Sequence, residues 1–176
     1  MTIANLKSQA FVPGSSRAAQ MGILMDPEDE ERYGNWPWRI VLRDGIVNSI
    51  QCKAGKLVYL GRVILNLPDG IECDHRDCDP MNNTRANLRP ATQQENSINR
   101  RSHTGVSKYK GVSWHKGGFR KKRWLATIRT QGRIMTLGYF RFQHEAARAY
   151  DTVAREHYGI FARLNFPING EQSALK

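Results

Sequence analysis

The sequence predicts an α+β protein, and three observations favour this fold class. Short β-rich runs alternate with turn signals between residues 38 and 64. Three more β-type runs lie between residues 108 and 140. The segment FQHEAARAYDTVAREHYG (142–159) has apolar residues at spacings of three and four, which is typical of an amphipathic helix. We therefore expect N-terminal β-hairpins, followed by a small three-stranded antiparallel sheet packed on one helix.

The first half of the chain is predicted to contain the hairpins. RDGI (43–46) and KAGK (53–56) are typical hairpin turns. The acidic stretch MDPEDEERYG (25–34) is interpreted as turn-rich. The turn signals delimit three predicted strands, near residues 38–42, 46–51 and 57–64.

Two helices have signals at their ends. Thr92, with Glu95 three residues later, forms a capping-box pattern that predicts a short helix with Asn96 in its first turns. Gly159 is a natural stop for the longer helix. The apolar face predicted for that helix comprises Ala146, Ala147, Tyr150, Val153, Ala154 and Tyr158, and the charged residues Glu145, Arg148, Asp151, Arg155 and Glu156 fall elsewhere.

The charge of the chain predicts a polyanionic partner. The net charge is +11 and the sequence pI is about 10.0. Residues 103–167 contain 13 Lys and Arg against 3 Asp and Glu, which accounts for +10 of that charge. Nucleic acid is favoured over an anionic membrane, because no apolar run approaches the length of a spanning helix and the N-terminus lacks the pattern of a signal peptide. We therefore expect a cytoplasmic protein.

The three cysteines do not predict a disulfide scaffold, because their number is odd. Cys73 and Cys78, together with His75, raise the alternative of a structural zinc ion. No second Cys or His pair follows at zinc-finger spacing, however, so reduced and partly buried thiols are the favoured interpretation for these two residues and for Cys52.

The stretch CDHRDCDPMNNTRANLRPATQQEN (73–96) has the residue types that phosphodiester hydrolysis needs. A histidine such as His75 suits the role of general base. Asp74 and Asn96 offer the oxygen ligands that Mg²⁺ prefers, and Asn87 is suited to orienting the His75 ring by a hydrogen bond. A bend must bring Asp74 and His75 to one site, because neighbours on a strand point apart. The alternative is turn chemistry, which is the favoured interpretation for Asp79, Asn82 and Asn83.

Alternation in RWLATIRT (123–130) separates two faces of the predicted basic sheet. Arg and Lys on an open face suit contacts with phosphates and guanine. The alternative is a solvated outer face, and the high local charge favours nucleic acid. One face has Arg123, Leu125, Thr127 and Arg129, and the other has Trp124, Ala126 and Ile128.

Residues 107–167 resemble the plant ethylene-response-factor (APETALA-type) DNA-binding domain. The resemblance rests on YKGV, WLATIR, LGYF, EAARAYD and ARLNFP. It implies a three-stranded sheet backed by one helix, with the sheet in the DNA major groove. Several of the implied contact residues are not those usual in the plant proteins, so no target sequence is implied. Together with basic residues nearby, the predicted DNA contacts are Arg62, Lys110, Ser113, His115, Lys121, Lys122, Arg123, Thr127, Arg129, Arg133, Ile134, Thr136 and Tyr139.

Residues 60–101 resemble the HNH endonucleases, in particular phage and intron-associated homing endonucleases with asparagine in the third position. The resemblance rests on CDH, on the NN, RANLR and AT spacing, and on Asn96. It implies a ββα-metal fold in which His75 is the general base, Asn87 positions it, and Asp74 and Asn96 hold one Mg²⁺ or Mn²⁺ per site. Relatives commonly have His where this chain has Gly61.

The predicted domains are a flexible segment (1–24), an HNH nuclease domain (25–101), a linker (102–107), a DNA-binding domain (108–167) and a tail (168–176). The predicted function is metal-dependent nicking of double-stranded DNA by a monomer or weak dimer, with no membrane partner and no small-molecule substrate. The alternative is a catalytically inactive DNA-binding regulator that keeps the HNH scaffold. RNA binding is less favoured, because Trp114 and Trp124 are expected to face the helix and to leave no platform for unpaired bases.

Overall fold

The computed structural model describes residues 13–100, 106–116 and 124–175. The chain divides into two compact units, Met1–His75 with Asp79–Pro90, and Arg76–Cys78 with Ala91–Lys176. These units divide the chain at different residues from the predicted domains, which stay a prediction. Most of the predicted linker and the first half of the predicted flexible segment lie outside the described residues. None of the described helices is long and apolar enough to cross a membrane.

The first unit combines short helices with small antiparallel sheets. Asp44 and Gly45 both have positive φ angles, as a type I′ hairpin turn requires, so the predicted turn at RDGI is confirmed. Strands β1, β2 and β3 form one sheet in that order, and β4 pairs with β5. The elements are α1 (Arg17–Gln20), α2 (Pro27–Tyr33), β1 (Arg39–Arg43), β2 (Ile46–Ala54), β3 (Lys56–Tyr59), α3 (Leu60–Ile64), β4 (Glu72–His75) and β5 (Leu88–Ala91).

Two predictions for this unit were wrong. The acidic stretch forms α2 rather than turns, since Pro27 begins the helix and three acidic residues occupy its first turn. Residues 60–64 form α3 rather than the end of a strand, because Leu60, Gly61 and Ile64 lie buried on one side of a helical turn. The core against which these helices pack includes the fully buried Trp38.

The second unit contains the predicted three-stranded sheet and long helix. Its sheet has the order β6-β7-β8 and is antiparallel throughout. Helix α4 begins with the predicted capping box and α5 ends at the predicted Gly159, so both helix predictions are confirmed. The elements are α4 (Gln93–Ile98), β6 (Val112–Trp114), β7 (Trp124–Thr130), β8 (Arg133–Phe140), α5 (Gln143–Tyr158), a 3-10 turn (Gly159–Phe161), β9 (Arg163–Leu164) and β10 (Gln172–Ser173).

Helix α5 packs its small residues against one face of this sheet. Ala146, Ala147 and Ala154 are buried with Ala126 and Ile128 of β7. This is the helix-facing side that alternation predicts. The arrangement leaves the opposite face of the sheet without a helix among the described elements of this unit.

The predicted division of α5 into faces was wrong for Asp151, which is 1% exposed. Its carboxylate accepts hydrogen bonds from the backbone N–H groups of Asn165 and Phe166, at 2.8 and 2.7 Å. Burial raises the pKa of Asp151, and these bonds oppose the rise. A charged residue on the helix thereby anchors the segment that follows it. The predicted tail also has structure, since β10 pairs in parallel with β9.

Candidate nuclease site and nucleic-acid interface

The Asp74 side chain, at the end of β4, forms a buried ion pair with Arg89 of β5. Arg89 Nε lies 2.7 Å from Asp74 Oδ2, and the two side chains are 4% and 2% exposed. A carboxylate buried to this degree requires a compensating charge. Sequence reasoning gave Arg89 no role, because no local pattern links residues that lie fifteen positions apart.

Asn83 selects one tautomer of His75. Asn83 is 1% exposed, and its Nδ2 donates to the carbonyl of Pro80 at 2.8 Å. That bond assigns the orientation of the amide, so Oδ1 is the atom that lies 3.2 Å from His75 Nε2. Because an amide oxygen only accepts, Nε2 carries the hydrogen and the lone pair of the neutral ring is on Nδ1. Neutral His75 therefore has Nδ1 as its basic nitrogen.

The loop before β5 is built from side chains that bond to nearby backbone and hydroxyl groups. The backbone N–H of Met81 donates to Asp79 Oδ1 at 2.9 Å, and the Thr84 hydroxyl donates to Asn82 Oδ1 at 2.9 Å. The turn interpretation is thus confirmed for Asp79 and Asn82. Asn83 shares this local bonding, since its Nδ2 donates to the carbonyl of Pro80, and its amide oxygen in addition contacts the His75 ring.

Asn87 supports the same loop. Its Nδ2 donates to the carbonyl of Asn82 at 2.7 Å, and its side chain is mostly buried. Asn87 therefore holds the turn in which Asn83 lies. Its predicted hydrogen bond to the His75 ring stays a prediction.

Two carboxylates at the start of α2, those of Asp26 and Asp29, also hold this loop. Arg85 donates through Nε and Nη2 to the two carboxylate oxygens of Asp29, both at 2.7 Å. Its backbone N–H donates to Asp26 Oδ2 at 2.7 Å. Asp29 is 1% exposed, so the bidentate pair is largely shielded on the carboxylate side. Sequence reasoning missed this role of the acidic stretch.

Asn96 lies on α4, in the second unit. The capping box fixes the start of this helix, because Thr92 Oγ accepts from the Glu95 N–H at 3.2 Å and Glu95 Oε2 accepts from the Thr92 N–H at 2.8 Å. The Asn96 side chain is half-buried. Its role as a metal ligand stays a prediction.

The donor chemistry of the predicted metal site fits a hard divalent cation. Asp74 offers a carboxylate and Asn96 an amide oxygen. In residues 13–100, 106–116 and 124–175, no group of three or more His, Cys, Asp and Glu side chains is placed to hold a metal ion. A site on these two residues would therefore draw its remaining ligands from water and phosphate.

The environment of the neighbouring Cys73 favours the neutral thiol. Burial raises the pKa of Cys73 to about 12, and the adjacent Asp74 adds to the rise. Zinc binds the thiolate, which this environment disfavours. Cys52, Cys73 and Cys78 are all free thiols.

Gly61 lies in a space that is closed to side chains. A Cβ atom at this position would lie 2.7 Å from Cys73 Sγ and 3.4 Å from Leu88 Cδ2. The histidine that relatives commonly have here is therefore excluded by the close approach of α3 to β4. Packing against Cys73 thus explains why a residue without a side chain occupies position 61.

The open face of the second unit's sheet has several of the predicted DNA contacts. Register pairs Thr127 with Thr136 and places Tyr139 opposite Leu125. His115 packs edge-on against Tyr139, with ring centroids 5.2 Å apart. Trp124 packs towards the helix as expected. Trp114 lies opposite it on the same face, with ring centroids 4.9 Å apart, although it is 39% exposed. The exposed members of the predicted set are Ser113, Arg129, Arg133, Ile134 and Thr136, and Lys121, Lys122 and Arg123 lie outside the described residues.

Two predicted DNA contacts bond to backbone carbonyls. Arg62 Nη2 donates to Leu67 and Pro68 carbonyls, at 3.3 and 2.9 Å, just after the end of α3. Lys110 Nζ donates to the carbonyls of Ile98 and Arg100. Both cations thus have structural roles that sequence reasoning missed, and their contacts with DNA stay predictions.

Comparison with known proteins places the chain in a family. Protein 3.8 of Escherichia phage T7 is 34% identical over 99 residues, which cover 56% of the chain and 78% of that relative. The chain belongs to the protein 3.8 family. No family model matches it.

Other relatives of this protein 3.8 family member belong to two classes of protein. An uncharacterised HNH endonuclease of Acanthamoeba polyphaga mimivirus is 33% identical over 113 residues, which cover 62% of the chain and 55% of that relative. An ethylene-responsive transcription factor of Arabidopsis thaliana is 34% identical over 158 residues, which cover 73% of the chain and 34% of the factor. The chain thus spans about half of the first and about a third of the second. These two relatives are of the two kinds of protein that the sequence resembles, and the chain matches part of the length of each.

Proposed function

We propose that this member of the protein 3.8 family is a metal-dependent endonuclease that hydrolyses a phosphodiester bond in double-stranded DNA. The observation that carries the proposal is the contact between His75 and Asn83, which gives the ring beside the buried Asp74 a defined basic nitrogen. The net charge of +10 in residues 103–167 and the HNH endonuclease relative support it.

In the proposed reaction, Nδ1 of His75 removes a proton from the attacking water. Asn83 holds the ring in the required tautomer while the proton moves. Asp74 and Asn96 would hold one Mg²⁺ or Mn²⁺, which when bound supplies positive charge for the non-bridging oxygen and the leaving 3′ oxygen. The ββα-metal arrangement of β4, β5 and α4 is part of this proposal.

The open face of the β6-β7-β8 sheet would bind the duplex. Exposed Arg129 suits phosphate or guanine contacts on this face, and Thr127, Thr136 and Tyr139 add polar groups. One active site per chain predicts a nick in one strand unless two chains act together. The proposed enzyme is therefore a nicking endonuclease of the homing type.

Supercoiled plasmid is the test substrate. We expect the wild type to produce nicked circles with Mg²⁺ or Mn²⁺, and we expect EDTA or His75→Ala to abolish nicking. His157→Ala is the matched control, because His157 is an exposed histidine of α5. Equal nicking by the wild type and His75→Ala would overturn the role of His75, and no nicking by the wild type would overturn the proposed function.

The second candidate function is DNA binding without catalysis, and the Asp74–Arg89 pair favours it. Because the Arg89 guanidinium already compensates the Asp74 charge, a metal ion must compete with it for the carboxylate. This candidate predicts DNA binding that weakens with salt, together with intact plasmid at every Mg²⁺ and Mn²⁺ concentration.

A further inference from the structure

Lys110 caps the C-terminal end of α4. Its Nζ donates to the carbonyl of Ile98, the last residue of the helix, and to that of Arg100, the latter at 2.6 Å. The last four carbonyls of a helix lack partners within it, and a positive charge there opposes the helix dipole. A residue of the predicted DNA-binding domain therefore stabilises the helix that contains Asn96.

Arg163 joins the end of α4 to the peptide that follows His75. Its Nε donates to Oδ1 of Asn99, the C-cap of α4, at 3.0 Å. Its Nη2 donates to the carbonyl of Arg76, and its Nη1 donates to that of Ser173 at 2.6 Å. Arg163 is 3% exposed. One buried guanidinium thus fixes three separate chain segments of the second unit.

The backbone of Lys110 is itself fixed from α5. Its N–H donates to Asn165 Oδ1 at 2.7 Å, and Asn165 Nδ2 donates back to the Lys110 carbonyl at 3.0 Å. Asn165 is in turn bonded to the buried Asp151. This continuous network runs from Asp151 of α5 to the end of α4. It fixes the backbone from which the Lys110 side chain extends.

We propose that Lys110 and Arg163 are positioning residues for the nuclease site. They set the position of α4, and so of Asn96, and they hold the peptide that directly follows His75. The inference rests on the proposed function, because it assigns Asn96 and His75 their roles there. It makes the sheet-and-helix unit a support for catalysis as well as a surface for DNA.

The test uses the full chain with two variants and two matched controls. Lys110→Met removes the cap but keeps the length of the side chain, and Arg163→Lys keeps the charge but loses the fork that spans three carbonyl groups. Lys116→Met removes an exposed lysine of the same unit. Arg155→Gln breaks an ion pair of 2.7 Å with Glu171 and controls for a general loss of stability in this unit.

Two readouts separate positioning from a structural role. Amide hydrogen exchange of residues 96–99 is measured without metal, and we expect it to become about tenfold faster in Lys110→Met and Arg163→Lys, as a lost cap predicts. Nicking kinetics and DNA binding are measured in parallel. We expect kcat to fall about tenfold or more in both variants, because small displacements of catalytic groups are costly. The Kd for DNA is compared only for Arg163→Lys, since Lys110 is itself a predicted DNA contact, and there we expect a change of less than about twofold.

The outcomes distinguish this proposal from the proposed function. Unchanged exchange in both variants would show that Lys110 and Arg163 do not stabilise the end of α4, and would overturn the proposal whether or not the protein nicks DNA. Faster exchange with no change in kcat would overturn the positioning role. Equal losses of kcat and DNA affinity in Arg163→Lys, of the kind expected for Arg155→Gln, would also overturn it. Faster exchange in the two variants, together with a wild type that never nicks DNA, would leave the anchoring of α4 by Lys110 and Arg163 intact and overturn the proposed function.

Discussion

Gly61 of α3 and Cys73 of β4 approach so closely that a methyl group on Gly61 would lie 2.7 Å from the Cys73 sulfur. Alanine is favoured over glycine by about 1 kcal/mol within a helix, whereas overpacking a core costs about 1–3 kcal/mol. We therefore expect Gly61→Ala to lower the free energy of unfolding. Cys73→Ala removes the sulfur, so the double variant should recover stability relative to the sum of the two single variants. Urea denaturation of all four proteins measures this coupling, and simple additivity would contradict the packing argument.

The buried Asp74–Arg89 pair predicts an asymmetry between single and double variants. Arg89→Met leaves the Asp74 carboxylate without its cation, so we expect a loss of about 3–5 kcal/mol in the free energy of unfolding. Arg89→Met combined with Asp74→Asn should lose less, since no buried charge is left uncompensated. Arg43→Met, at an exposed position, is the control. A double variant less stable than Arg89→Met would show that the pair is not what compensates Asp74.

The contact with Asn83 predicts the tautomer of His75. Nitrogen-detected NMR of the wild type at a pH where the ring is neutral should show the hydrogen on Nε2. Asn83→Leu removes the acceptor, and we expect a mixture of tautomers together with a fall in kcat of about 100-fold, within the range for a misplaced general base. Asn82→Ala alters the same loop away from the ring and serves as control. An unchanged tautomer in Asn83→Leu would contradict the assignment.

Lys110 predicts a dependence of stability on alkaline pH. Burial, together with the positive charge of Arg163, lowers the pKa of Lys110 to about 8, and the Cys78 thiol opposes this shift. Between pH 8 and the ordinary pKa of lysine, the unfolded chain binds more protons than the folded chain, so folding stability gains as pH rises. The wild type should therefore become more stable relative to Lys110→Met across this window. Denaturation of both proteins from pH 7 to 10 measures the difference, and a constant difference would contradict the shifted pKa.

The open face of the sheet predicts an electrostatic contribution to DNA binding. Arg129 is exposed on this face of β7, so Arg129→Ala should remove about one phosphate contact and reduce the slope of log K against log salt by about 1. Arg148→Ala removes the same charge from α5 and should leave the slope unchanged. Equal slopes for Arg129→Ala and the wild type would contradict a DNA contact on this face.

Local signals in the sequence predicted the elements that have their own caps or periodicity. Thr92 and Glu95 predicted the start of α4, and Gly159 predicted the end of α5, because each signal lies within one turn of the feature that it specifies. Helix α3 was missed because it has only five residues. Over so short a segment, helical periodicity cannot be distinguished from the pattern of a strand that contains β-branched residues.

The candidate site was predictable only in part. His75 and Asp74 could be chosen by residue type and by the resemblance to HNH endonucleases. Their partners Asn83 and Arg89 could not, since they lie eight and fifteen residues away and resemble ordinary turn and strand residues. The roles of Lys110 and Arg163 depend on chain segments separated by as many as 87 residues, which no local pattern encodes.

The three bonds of Arg163 limit how this chain can be recombined. Exchange of the segment 108–167 for another DNA-reading module would remove the guanidinium that Arg76, Asn99 and Ser173 share. The recipient α4 would then lose the Lys110 donor to its Ile98 carbonyl and the Arg163 donor to Asn99, although every residue of the HNH-like motif had been retained. A chimera that exchanges this segment must therefore keep Lys110 and Arg163 together with the new DNA-reading surface.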